Sequence, residues 1–149
     1  EEEPGTGKQE WYEALVTRLA ATIAPVGDAA SLRAAFEGGR AHVIGTSGTV
    51  TSLAGVHLGL ARYSRSRVDG YWFDVAECRA TIAHMLHQTM AERAANACVG
   101  ADRADLVVIG GAILDAVLRV WPATRIRVAD RGLREGVLMR LMAKHGGGA

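Results

Sequence analysis

Cysteine, proline and aromatic residues are all scarce in this chain, and neither sign of charge dominates. Two cysteines in 149 residues, Cys78 and Cys98, are too few and too isolated for a zinc cluster or a disulfide framework. Lys and Arg number 17 against 16 Asp and Glu, a formal charge of +1, so no global field favours nucleic acid or an anionic membrane as partner. The longest strongly apolar run, Leu106 to Leu114, is too short to span a bilayer and contains Gly110-Gly111. The opening Glu1-Glu2-Glu3 does not have the pattern of a signal peptide, which makes a reducing, cytoplasmic setting the expectation. What is abundant is Ala, Gly and aliphatic side chains. With 49% apolar residues, the composition fits one soluble α/β or helix-rich domain rather than a disordered chain.

Apolar periodicity divides the chain into elements. Residues 1–9 carry acidic residues, Pro4, Gly5 and Gly7, and read as a flexible start; 10–144 read as one domain; 145–149 read as a flexible Gly-rich tail. Trp11, Leu15, Leu19 and Ile23 form a stripe on a first helix that Pro25 closes. Ser31 is placed to cap a short second helix through Phe36, ended by Gly38-Gly39. Ala41 to Ile44 reads as a short buried strand, followed by a helix to about Leu60. Ala61 to Tyr71, with Arg62, Arg65 and Arg67, reads as an exposed connection. Asp74–Glu77 and Thr89–Glu92 have the spacing of capping boxes, the first opening a helix whose inner face is Val75, Ile82, Met85 and Leu86. Leu106–Ile109 suits either a strand or a helix; the longer run to Trp121 favours one buried helix capped by Asp102, with Pro122 past its end. Arg125–Ala129 alternates as a strand, and Leu133, Val137, Leu138, Leu141 and Met142 mark a final amphipathic helix.

The most informative stretch is Gly45-Thr46-Ser47-Gly48-Thr49-Val50-Thr51. It reads strand, tight glycine turn, helix. Two glycines permit close approach of a ligand to the backbone, and hydroxyls stand beside the free N–H groups of a helix start. Such a corner suits phosphate or another anion. The same pattern also serves as the ordinary capped turn of an α/β domain. A second strand-to-helix corner, Asp130–Gly136, lies beside the first if the two strands are parallel neighbours, and open α/β sheets bind ligands at such ends. Arg103 can reach a phosphate in bidentate fashion or pair with Asp102 or Asp105 on the surface. His84 and His87 lack convincing further metal ligands, and Ser47 lacks the setting of a nucleophile elbow.

Five blocks, in order, resemble the exopolyphosphatase and guanosine-pentaphosphatase family, Ppx/GppA. They are His42–Thr51, Arg67-Val68-Asp69-Gly70, Glu92-Arg93-Ala94-Ala95-Asn96, Ala101–Leu106 and Val128–Gly136. The resemblance implies the actin, sugar-kinase and chaperone-ATPase superfamily, whose members have two ribonuclease-H-like halves around a phosphate cleft. This chain would then be a partial second half, helix-rich with a small parallel sheet. It also implies hydrolysis of terminal phosphoanhydride bonds in polyphosphate or guanosine pentaphosphate, with magnesium. Gly45, Thr46, Ser47, Gly48 and Thr49 would cradle phosphate, Arg103 would contact the phosphate chain or an inhibitory guanosine tetraphosphate, and Arg134 would lie on the closing corner.

The departures from the family pattern are large. There is no Asp-Gly-Gly-Gly-Ser phosphate loop and no counterpart of the first half, which carries the glutamate that orients the attacking water. Neither a catalytic residue nor a metal ligand is therefore expected within these 149 residues. The chain reads as the C-terminal part of a longer enzyme, inactive without the missing N-terminal part. An incomplete sheet offers a free strand edge for pairing with another chain, which makes a homodimer the expected state. The alternatives are a binding module that holds phosphate, polyphosphate or an alarmone nucleotide without cleaving it, and a dimerisation fragment.

Overall fold

The computed structural model describes residues 7–26 and 29–145. Both the expected flexible start and the Gly-rich tail fall largely outside them. A helix α1, Lys8–Ile23, is followed by α2, Ala29–Glu37, and by β1, Val43–Gly45. After β1 come α3 (Gly48–His57), the single turn α4 (Arg65–Val68) and β2 (Trp72–Asp74). The chain continues through α5 (Val75–His87), α6 (Met90–Ala95), a 3-10 turn at Ala101–Arg103, α7 (Leu106–Val120), β3 (Arg125–Val128) and α8 (Leu133–His145).

The sheet has the order β1-β3-β2. β1 runs parallel to β3, with Gly45 opposite Val128, so the corners after these two strands do lie at one end of the sheet. β2 pairs antiparallel with β3. The sheet is therefore mixed, not purely parallel as expected. The cause is local: Gly70 N–H donates to Val128 O at 2.8 Å and Val128 N–H to Tyr71 O at 2.9 Å, which ties the chain to the second edge of β3. Three residues are too few for alternation to reveal such a strand.

Phe73, Ile126 and Val128 are fully buried on the inner face of the sheet, against α3 and α5. α7 packs on α3 and α5, and α1 lies along α7. The expected buried strand at Ala41–Ile44 is instead an edge strand that starts two residues later and ends one later, with Ile44 57% exposed. Among the described strands only β3 pairs with it. On the outer face of the sheet the Arg125 and Arg127 guanidinium carbons stand 4.9 and 5.1 Å from the Trp72 ring centre, and the His42 ring meets Trp72 edge-on at 5.2 Å. These contacts partly cover the Trp72 indole, which is 37% exposed.

Several local expectations are corrected. α2 starts at Ala29, so Ser31 sits inside its first turn rather than at the cap; the Ala29-Ala30 pair supplies good helix formers ahead of it. Asp74 is the N-cap of α5 but makes no side-chain cap; it is also the last residue of β2, and Val75 N–H donates to Thr124 O at 3.0 Å. The supposed connection at 61–71 contains α4, whose Val68 is fully buried. Leu106–Ile109 is helical, and the cap position of α7 is Asp105, while Asp102 lies in the 3-10 turn.

The Thr89–Glu92 capping box forms as expected: Thr89 Oγ1 accepts from Glu92 N–H at 3.2 Å and the Glu92 carboxylate accepts from Thr89 N–H at 2.7 Å. Val75, Ile82, Met85 and Leu86 are all buried. α8 is amphipathic, yet it buries nothing among the described residues, and Leu133 is 84% exposed.

Candidate phosphate-binding site

Ser47 caps α3 in an extended conformation, its Oγ accepting from Val50 N–H at 3.4 Å, while Thr51 N–H reaches Ser47 O at 3.2 Å. The first of these bonds occupies one of the four amides that a helix start leaves open, and the second is the opening bond of the helix itself. The amides of Gly48 and Thr49 have no acceptor among the described residues. They lie at the positive end of a ten-residue helix. Gly45 is buried at the end of β1, and its carbonyl accepts from Ala129 N–H at 2.9 Å, which fastens the first corner to the second. Thr46 and Ser47 are exposed at the rim.

The charge at this corner is Arg103. It pairs with neither Asp102 nor Asp105, contrary to the surface-pair expectation; its Nη1 donates to Ser52 Oγ at 3.2 Å. Its guanidinium lies so close over Gly48 that a Cβ there would stand 3.3 Å from Arg103 Cζ. Glycine at this position lets the cation approach the backbone. Gly48, Thr49, Ser52, Arg103, Leu106 and Val107 line one cavity of about 220 Å³. No carboxylate is among those lining residues.

Arg103 is held in place by the block before it. Arg93, only 1% exposed, donates to Ala104 O at 3.0 Å from Nη1. Asn96 Oδ1 accepts from Cys98 N–H at 2.9 Å, and Asn96 O accepts from Gly100 N–H at 2.9 Å. The Glu92–Asn96 block is thus a scaffold for the turn that presents Arg103.

The second corner is built differently. The Asp130 carboxylate takes Arg65 Nε at 2.8 Å, and Asp69 Oδ1 accepts from Asp130 N–H at 3.0 Å. Tyr63 lies near Thr51 and Asp130, and burial, more than the nearby Asp130, raises its pKa. Arg134 sits exposed on the first turn of α8 and is not among the residues lining the cavity.

Glu135 folds back to accept Gly132 N–H at 2.8 Å, and this bond, followed by its own backbone amide and the charges of Arg134 and Arg65, holds its carboxyl below the usual glutamate range. A depressed folded-state pKa gives stability that is present above the unfolded pKa and lost as pH falls through the folded value. Glu135→Gln is therefore expected to shallow the acid limb of the helicity titration followed by circular dichroism. An unaltered acid limb would mean that the cap does not form in solution.

Ser52, Leu106, Val107 and Tyr63 were not singled out from the sequence. Ser52 left a faint signal, since it lies one helical turn after Gly48, on the same face. Tyr63 left none.

A sequence profile described as the Ppx/GppA phosphatase family matches residues 8–145. The chain belongs to the Ppx/GppA phosphatase family. No curated protein matches it. Among solved structures, a Ppx/GppA family member from Aquifex aeolicus is similar over 97% of this chain, with 22% identity and a TM-score of 0.72. An exopolyphosphatase from Cytophaga hutchinsonii is similar over 91% of the chain, with 22% identity and a TM-score of 0.71. An exopolyphosphatase-like protein from a structural-genomics programme reaches 25% identity over 91% of the chain, with a TM-score of 0.77. The chain spans less than half the length of these Ppx/GppA relatives, 44, 43 and 44% respectively. Among the described residues no helix is long and apolar enough to cross a membrane.

Proposed function

We propose that this chain forms one wall of the phosphate cleft of an exopolyphosphatase-type hydrolase, the second ribonuclease-H-like half of the actin-like superfamily. The observation that carries the reading is the placing of Arg103 over Gly48 at the open start of α3, around one cavity without a carboxylate. In this account a terminal phosphate accepts hydrogen bonds from the Gly48 and Thr49 amides. The hydroxyls of Thr46, Ser47 and Thr49 orient it, and the Arg103 fork supplies the counter-charge. Arg134, on the neighbouring corner, meets the phosphate chain only beyond this first group. The substrate is inorganic polyphosphate or guanosine pentaphosphate, with guanosine tetraphosphate as a competing ligand, and the setting is the cytoplasm.

Phosphoanhydride hydrolysis also requires a metal ion and a carboxylate that positions water, acting together with the cradle. Among the described residues no group of three His, Cys, Asp or Glu side chains could hold a metal. The residues here do not fit the magnesium ion that the family implies, and no step is assigned to it on this chain. The chain by itself is therefore a binder with little or no turnover. Its partner is the remaining part of the enzyme, which meets it at the free edge of β1; a homodimer through that edge is the competing assembly. The carboxylate-free lining of the cavity also favours a second reading, a module that holds polyphosphate or an alarmone nucleotide without cleaving it.

The test of the cradle is a Ser47→Ala/Thr49→Ala double variant titrated calorimetrically with tripolyphosphate. Binding is expected to be abolished, with the fold retained by circular dichroism. Unchanged binding would put the site elsewhere.

A further inference from the structure

The outer face of the sheet carries a patch that is both cationic and aromatic. The strand register sets Ile44 of β1 and Trp72 of β2 opposite Arg127 of β3, one row across all three strands. Arg125 stands two residues earlier on β3, on the same face, with Asp74 as its register partner on β2. None of these residues lines the phosphate cavity.

Both guanidinium groups lie over the indole, at 4.9 and 5.1 Å from its centre. An arginine stacked on a ring has its plane fixed and its N–H edge still free to bond. Arg127 is confined further: a Cβ at Gly70, whose φ is +80°, would stand 3.0 Å from Arg127 Nη2. The glycine of the Arg67–Gly70 block thus makes room for this cation. Arg65, Arg79, Arg119 and Arg131 all meet carboxylates elsewhere in the fold. Arg125 and Arg127 have neither an ion pair nor a hydrogen bond among the described residues, Asp74 included.

Two oriented, unpaired cations call for an anion, and the exposed indole beside the edge-on His42 ring calls for flat groups next to it. Residues two apart on a strand are about 6.8 Å apart, close to the step between successive phosphates of an extended nucleic-acid strand. An inorganic polyphosphate chain repeats on a much shorter step and offers no flat group to the ring. Sheet faces that hold single strands combine cations for the backbone with rings or guanidinium planes on which bases stack. A net charge of +1 is a property of the whole chain and does not describe this face.

We propose that this face binds single-stranded nucleic acid, with Arg125 and Arg127 each taking one backbone phosphate and the Trp72–guanidinium stack supporting an adjacent base. This assignment is independent of the phosphate-cleft reading and stands or falls without it.

The experiment is a fluorescence-anisotropy titration of a labelled oligo-deoxythymidylate with the chain, in parallel with an abasic oligonucleotide of equal length and an oligoglutamate peptide. Saturable binding of the thymidylate strand is expected, its log affinity falling against log salt with a slope of about −1.4 for two neutralised phosphates. The abasic strand should bind about five- to a hundredfold more weakly, the loss of one stacked base. An Arg125→Ala/Arg127→Ala double variant should bind the thymidylate strand at least roughly tenfold more weakly. Arg103→Ala should bind it as the parent does. In the unmodified 15N-labelled chain, the Trp72 indole N–H and the Arg127 amide should shift on titration. Binding that never saturates, equal binding of the abasic strand or the peptide, an unchanged affinity in the double variant, or an equal loss in Arg103→Ala would each overturn the proposal; the shifts decide it if the double variant does not fold.

Discussion

Replacing Arg103 by alanine is expected to weaken the binding of tripolyphosphate roughly ten- to a hundredfold, the effect of losing a charge-assisted hydrogen bond. The argument rests on where the guanidinium is, not on its charge alone. Arg103 lies against Gly48, shares the cavity with the open amides of α3, and is steadied by Ser52 Oγ at 3.2 Å. Lysine at this position keeps the charge but not the planar fork, so Arg103→Lys is expected to recover only part of the affinity. Arg134→Ala serves as the comparison. Arg134 is exposed on α8 and does not line the cavity, so its loss should cost less than that of Arg103. Calorimetry on the three variants at one ionic strength checks the ranking, since phosphate binding by surface cations is sensitive to salt. Equal losses for Arg103→Ala and Arg134→Ala would point to a diffuse basic surface instead of a built site.

The second large effect concerns Gly110, where α7 crosses α3. A Cβ at Gly110 would overlap the Thr49 hydroxyl and stand 2.8 Å from Thr49 Cγ2. The two helices can approach this closely only because no side chain intervenes. Gly110→Ala is expected to destabilise the chain by about 1–3 kcal/mol, the usual cost of overpacking, read from urea unfolding. Adding Thr49→Ala to that variant removes the atoms in collision and should restore part of the loss. A Gly110→Ala chain as stable as the parent would mean that α3 and α7 do not pack as described. The same contact ties stability to function, because Thr49 is also a wall of the phosphate cavity.

The first corner was legible because its chemistry is local. Gly45, Ser47 and Gly48 are close in sequence, and the cap from Ser47 to Val50 spans three residues. The Thr89–Glu92 box was legible for the same reason. The identical spacing at Asp74–Glu77 misled: Asp74 closes β2 as well as opening α5, and its side chain makes no cap. Leu106–Ile109 carries an apolar run that either structure tolerates; only the length of the run to Val120 separates helix from strand.

What could not be read was long-range. Arg103 and Ser52 are 51 residues apart, and nothing local predicts that the arginine leaves its aspartate neighbours for α3. The nearness of Tyr63 to both Thr51 and Asp130 arises only after β1 pairs with β3. The exposure of Ile44 and of the apolar stripe on α8 follows from what does not cover them among the described residues, which periodicity cannot express.

The central claim is that the chain supplies a phosphate-binding wall and not the catalytic apparatus. It is tested most directly by measuring phosphate release from long-chain polyphosphate with magnesium, using the chain alone and the chain supplemented with the first half of a Ppx/GppA relative. Release only in the supplemented sample is the predicted result. Release by the chain alone would contradict the account, because it would require a metal and water site within these residues; no release in either sample would contradict the hydrolase reading and leave the binding module in its place.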